Sequence, residues 1–419
     1  MIVIPAHHQQ PHPNSIADAR CSARLQGPAR PHIAWVIWGD EPLGGVRRAL
    51  SNFSTGLAAR GWRVSIVCLD EGEMAVEARR LGLQVHCLRD EGDHHARYAA
   101  VTRRRFGRIQ AQIALRRYQS GLAAQLEALA PDVVSTYWPD FLPLVGRVCK
   151  GLGIAAVWEI PEVPSVQRFR LNQRVYAALL GHYRLRPIAN SRFTATLLGP
   201  APGLTVVYPP SDSAQFDPAR VIPLSRSALG LPPDALLLGS IARLSPQKCG
   251  EPLIRALALL NSELPHLHLL FVGGPLDSDY GRTLRQLVTA LRLESKVHFL
   301  GEAPDPVAAH ALMDFFVSCR PDPEGFGLSV VEAMLMQKPT LVRALGGPAE
   351  TVIDGETGWH FESDTPAAIA AAIRRAVADR PRWPAMGAAG RDRAVREFSL
   401  EASLPRFEQA LLGHLGQHP

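Results

Sequence analysis

DFFVSCRPDPEGFGLSVVEAMLMQKPTLVRA, Asp314 to Ala344, decides how the second half of this chain is built. DFFVSC and KPTLVRA are short apolar runs of strand length, and the segment between them opens on a glycine-loosened corner and continues as an apolar helix beginning near Ser329. Two apolar strands joined through a helix form a βαβ unit, which demands a parallel sheet covered on both faces. Two carboxylates flank the corner, Glu324 at its start and Glu332 eight positions on. Glycine has no Cβ, so such a corner suits close approach of backbone to a ligand.

The same rhythm extends outward in both directions. LLLGSIA, HLLFVGG and KVHFLG precede the unit as further buried strands. In the first half, IAWVIW, RVSIVCL, LQVHCL, DVVSTYW and IAAVWE repeat the pattern, with Gln112–Leu129 as a long helix among them. A proline-rich stretch from Tyr208 to Asp234 separates the two series. The chain therefore reads as two layered α/β units. The expected boundaries are 33–200 for the first domain and 201–395 for the second, with 396–419 as a closing helix. The first 31 residues, rich in Pro, His and Gln, read as a disordered tail.

Composition sets the outer bounds. The 419 residues include 47% hydrophobic and 20% charged, ordinary values for a globular protein of two or three domains. Six scattered cysteines form no C-x-x-C pair, which suggests reduced thiols in a cytosolic protein. No apolar run reaches the roughly 18 residues of a membrane span. The net charge of +6 is uneven. Residues 33–200 hold 22 Lys+Arg against 14 Asp+Glu, whereas 201–419 hold 20 against 24. Opposite electrostatic character points to different partners for the two halves.

Open α/β sheets bind ligands at the carboxyl ends of their strands. There, GSIARLSPQKCG places Arg243 and Lys248 on one loop, a pair able to clamp a diphosphate. The helix after Gly327 offers unpaired N–H groups to an anion. A plainer reading makes Ser329-x-x-Glu332 a capping box, with Glu332 reaching back to the cap. Likewise Glu324 could be a turn carboxylate in water.

These residues together resemble retaining glycosyltransferase family 4, of the GT-B fold. EGFGLSVVEAM carries its E-x7-E element, and ARLSPQK is similar to its phosphate-binding loop. VGGP (272–275), KVHFLG (296–301), ALGGPAE (344–350), GGVRR (44–48) and IANSRF (188–193) continue the resemblance. It implies two Rossmann-like domains facing each other across a cleft, acceptor domain first and donor domain second, with the C-terminal helix crossing back. It also implies transfer of a sugar from a nucleotide sugar such as a UDP- or GDP-sugar, without metal or other cofactor. Glu332 would bond the ribose hydroxyls, and Glu324 would orient the transferred sugar. Backbone from Gly325 through Phe326, Gly327, Leu328 and Ser329 would hold sugar and phosphate oxygens. Arg243 and Lys248 would neutralise the leaving diphosphate, with Gly44 and Gly45 approaching it from the first domain.

The acceptor side departs from the pattern. Tyr137 and Trp158 stand where family members often carry histidines, and Pro209-Pro210 stiffens the expected hinge. Glu159, Asp140 and Glu162 are the acceptor candidates. The acceptor itself, whether a glycan, a lipid-linked sugar or a small molecule, stays open. The segment Arg97–Arg117 would set a basic helical face beside an apolar one, a candidate for peripheral contact with the inner face of an anionic membrane.

Rival readings have specific weaknesses. A dinucleotide dehydrogenase needs G-x-G-x-x-G after a strand, and neither glycine loop supplies it. A nucleic-acid role lacks a stacking platform in the basic segment. A sugar-nucleotide epimerase shares GT-B architecture and is the enzyme alternative, distinguished by needing no acceptor. Asp277-Ser278-Asp279 spells a metal-binding D-x-D, a short match expected by chance in a chain of this length.

Overall fold

The computed structural model describes residues 30–40, 44–89, 107–161, 169–303 and 306–415. Residues 1–29 of the expected N-terminal tail, Glu162 and residues 97–106 of the Arg97–Arg117 segment lie outside them. Two wholly parallel sheets organise the chain. The first holds β1 (His32–Ile37), β2 (Arg63–Cys68), β3 (Gln84–Cys87), β4 (Val133–Thr136), β5 (Ala155–Ile160), β6 (Arg186–Ala189) and β7 (Thr205–Val206). Its order is β3-β2-β1-β4-β5-β6-β7. The second holds β8 (Leu236–Ile241), β9 (Leu267–Val272), β10 (Val297–Gly301), β11 (Phe315–Ser318), β12 (Thr340–Arg343) and β13 (Gly358–Phe361). Its order is β10-β9-β8-β11-β12-β13.

The continuous apolar runs become strands because helices cover both faces. Every residue of β1, β5 and β9 is buried. β6, β7 and β13, absent from the sequence reading, are two to four residues long and sit at or next to sheet edges. The expected helix Gln112–Leu129 is instead two, Gly107–Arg116 and Gln119–Leu129, broken at Arg117–Tyr118. Tyr118 leaves the helical line to bury its ring beside Trp38, 6.4 Å away edge-on. Of the apolar side chains expected to face a membrane there, Leu115 is buried in the core and Ile113 is exposed.

Six helices matter below: α1 (Gly45–Ala59), α2 (Arg192–Leu198), α3 (Pro306–Leu312), α4 (Leu328–Leu335), α5 (Gly347–Thr351) and α6 (Leu400–Leu415). In α6, Phe407 stacks on Phe53 of α1 at 4.1 Å and on Trp35 of β1 at 6.3 Å. The final helix is thus built into the core beneath the first sheet. Two segments run between the sheets and meet where Ser211 N donates to Phe398 O and Leu400 N to Ser211 O, both at 3.0 Å. Beside this crossing Asn52 Nδ2 bonds Pro210 O at 2.9 Å, so the Pro209-Pro210 turn is pinned to α1.

Candidate functional site

In each sheet strand order reverses once, between β1 and β4 and between β8 and β11. Loops leaving adjacent strands diverge at such a point and open a crevice. The loop after β8 carries Arg243 and Lys248, and the loop after β11 carries Arg320 and Glu324. Lys248 and Glu324, 76 positions apart, meet with Nζ donating to Oε1 at 2.8 Å. Arg320 Nη1 donates to the same oxygen at 3.1 Å. Burial alone would raise the Glu324 pKa, but Lys248 and Arg320 hold the carboxyl below its ordinary value. It is an anion pinned by two cations, not the solvated turn carboxylate of the plainer reading. Arg243, on the same loop as Lys248, is exposed. Lys248 and Arg243 line one small concavity with Ser245, Phe271 and Tyr280, and Glu324 and Arg320 line another with Arg343.

The corner between the two glutamates has two separate glycine requirements. Gly327 has φ 91°, a left-handed conformation that only glycine adopts freely, and it leads directly into α4. A Cβ on Gly325 would lie 2.8 Å from Asn190 Nδ2 and 2.9 Å from Pro161 O. The close approach anticipated for a ligand is therefore, at Gly325, an approach to the first domain. Gly45, at the start of α1, comes near Leu328 less tightly, with Cδ1 3.3 Å from where an added Cβ would lie. The first turns of α1 and α4 face each other across the crevice.

Glu332 corrects the capping reading. Gly327 precedes α4 without any side-chain cap, and Ser329 lies inside the helix. Glu332 does not reach back; its Oε1 accepts from Arg48 Nη1 of α1, tying the two domains together. Its Oε2 is buried with no hydrogen-bond partner among the described residues. A second tie lies nearby. Glu350 of α5 accepts from Arg192 N at 3.0 Å and from Phe193 N at 2.9 Å, receiving the N-terminus of α2 from across the crevice. Tyr208 stacks on Phe326 at 5.5 Å beside it.

The acceptor candidates fare differently. Glu159 is 5% exposed and accepts from Trp35 Nε1 and Ser135 Oγ within the first sheet. Burial pushes its pKa up to about 7 against the lowering effect of those bonds. Such a carboxyl is not presented to a substrate, so Glu159 is withdrawn as an acceptor ligand. Asp140 stands in a half-buried turn after β4, its carbonyl accepting from Gln112. Asp277-Ser278-Asp279 has a local explanation. Ser278 caps the helix Asp279–Ala290 through Gly281 N, and Asp279 is its first-turn acid, paired with Arg282.

The sequence reading assigned no role to Arg48, His310, Arg320 or Glu350. Arg320 could have been noticed as a cation four positions before Glu324. His310 and Glu350 carried no local signal, since their partners lie on other elements.

Residues 221–393 match the family Glycosyl transferases group 1. That span contains Arg243, Lys248, Glu324 and Glu332. A D-inositol 3-phosphate glycosyltransferase of Stackebrandtia nassauensis is 36% identical over 204 residues, covering 46% of this chain and 45% of the relative. A GDP-mannose-dependent alpha-(1-6)-phosphatidylinositol monomannoside mannosyltransferase of Mycolicibacterium smegmatis is 34% identical over 234 residues, covering 53% and 59%. The chain spans about half the length of the curated relatives it matches. Solved structures extend the likeness to the whole fold. A glycosyltransferase from Rickettsia africae superposes with TM-score 0.76 over 93% of this chain and 99% of its own, at 18% identity. Anabaena HepE in complex with UDP and glucose gives 0.74 over 91% and 99%, at 21% identity. The fold is GT-B, as the resemblance implied. Among the described residues no helix is long and apolar enough to cross a membrane.

Proposed function

We propose that this chain is a retaining glycosyltransferase that moves a sugar from a nucleoside diphosphate sugar to an acceptor hydroxyl. The observation that carries the reading is the cluster of Lys248, Arg320 and Glu324 at the second sheet's switch point, inside the span matching Glycosyl transferases group 1. During transfer the bond from the anomeric carbon to the diphosphate oxygen breaks. The acceptor oxygen bonds that carbon on the same face, and its proton leaves with the diphosphate. Negative charge grows on the departing phosphate, so fixed cations beside it lower the barrier. Lys248 and the exposed Arg243 take that role, while Glu324 orients the sugar. Glu332 accepts from the ribose, for which its place one turn into α4, facing the first domain at the crevice, argues. The relatives' printed names describe transferases, which favours transfer over the epimerase alternative.

Because side-chain cations do this work, the reaction needs no metal. Its setting is the cytoplasm, with the acceptor entering over the first domain from solution or from the inner membrane surface. A panel of UDP- and GDP-sugars, screened for thermal stabilisation and slow donor hydrolysis, tests the reading. One donor should stabilise the protein, and its hydrolysis should persist in excess EDTA. Turnover lost to EDTA and restored by Mg²⁺ or Mn²⁺ would reject the metal-free mechanism, and a donor interconverted without acceptor would favour the epimerase.

A further inference from the structure

Behind Glu332 lies a histidine that the proposed chemistry does not use. His310 of α3 is wholly buried, its ring set against Phe316 at 5.7 Å and edge-on to Phe216 at 6.0 Å. Neither ring nitrogen has a hydrogen bond among the described residues, and neither does Glu332 Oε2. These orphans face each other, Nε2 and Oε2 being 3.7 Å apart with the side chains 0% and 1% exposed. Two desolvated polar groups left unpaired at this range are costly, and a closing of less than about 1 Å would join them. The imidazole is neutral: burial foremost, then the positive charges of Arg48 and Lys338, lowers its pKa to about 3. A neutral ring has one N–H to give, and the carboxylate can only accept.

We propose that His310 is a positioning residue for Glu332, its Nε2–H closing on Oε2 so that Oε1 is aimed into the crevice. Glu332 is then held from behind by α3 and met in front by Arg48 of the other domain. When nucleotide enters, Arg48 can shift while the carboxylate stays oriented, so a ribose hydroxyl meets a preorganised acceptor. This role rests on the nucleotide-sugar reading, whereas the contact itself does not.

The test separates the two. Ring ¹⁵N–¹H spectra of the wild-type protein without nucleotide should place the His310 proton on Nε2, with a resonance that moves in Glu332→Ala. UDP and GDP are then titrated calorimetrically against wild type, His310→Leu and His310→Gln. His310→Leu keeps bulk but not the donor and should weaken the bound nucleotide about 10-fold, the size of a hydrogen bond to a charged group. Saturated turnover should stay within about 2-fold, and His310→Gln, which restores an N–H, should recover most of the affinity. A proton on Nδ1, a ring resonance indifferent to Glu332→Ala, or a folded His310→Leu with wild-type affinity would overturn the proposal. Wild-type protein that binds neither UDP nor GDP would count against the nucleotide-sugar reading, and the ring spectrum would still decide the contact.

Discussion

Glu159 and Glu332 are nearly equally hidden, at 5% and 1% exposure, yet they stand in opposite situations. Glu159 lies within one sheet and receives hydrogen bonds from Ser135 on the adjoining β4 and from Trp35 on β1, the strand beyond it. Glu332 is met by an arginine from the other domain and keeps one oxygen unpartnered. Burial therefore does not mark a functional carboxylate. A satisfied acid inside one domain specifies packing, whereas an under-satisfied acid where two domains meet retains capacity for a ligand.

The largest effect should come from the cations on the crevice side. Lys248→Ala should lower turnover on the order of 10²–10³-fold, the usual loss for one preorganised charge-stabilising group. Folding should survive, because Lys248 sits on a loop and only partly buries its side chain. Steady-state kinetics on the donor found by the nucleotide-sugar panel checks this. Wild-type turnover would remove Lys248 from the mechanism and reduce its contact with Glu324 to a structural ion pair.

The opposite outcome is expected at Glu159. The folded protein keeps this proton up to about pH 7, whereas the unfolded chain releases it near the ordinary value of 4.5. Between those limits the folded state binds more protons, so its stability is complete below the lower value and falls as pH rises through the upper one. Glu159→Gln cannot ionise and still offers an acceptor to Trp35 and Ser135. It should stabilise the protein by on the order of 2 kcal/mol at pH 8.5 and by little at pH 5. Urea denaturation at the two pH values measures this. A variant destabilised at both would show that the carboxyl is needed as such.

The contrast also explains what the sequence disclosed. The long strands were legible because parallel sheets need continuous apolar runs, and the corner at Glu324 because Gly325 and Gly327 answer local constraints. Lys248 could be found because it sits in a loop directly after a strand. β7 was not legible, being two residues long, and in β6 and β13 the residues Arg186, Pro187, Gly358 and His360 interrupt any apolar run. The break at Tyr118 was also hidden, because it goes with the packing of the Tyr118 ring against Trp38 rather than with any helix-breaking residue. Glu332 was legible as a candidate but not as a bridge, since Arg48 lies 284 positions away. His310 and Glu350 escaped for the same reason: their meaning lies in what other elements bring to them.

The smallest expected effect tests whether the interdomain ties govern turnover. Glu350 accepts two backbone N–H groups at the start of α2, where the helix's partial positive charge favours an anion. Losing such an end contact typically costs about 1 kcal/mol. The tie joins the two domains, so its loss should favour opening of the crevice more than unfolding of either half. Glu350→Ala should bind nucleotide with nearly unchanged affinity, because the charged side chains proposed to hold the donor, Arg243, Lys248, Glu324 and Glu332, belong to the second domain. Turnover should fall about 5-fold, the Boltzmann factor for that energy, since reaction requires both domains closed around donor and acceptor. Small-angle scattering should show a larger radius of gyration, and Glu350→Gln, which can still accept one of the bonds, should fall between. Unchanged scattering together with unchanged turnover would mean that Arg48–Glu332 and the packing of Gly325 hold the domains together without Glu350.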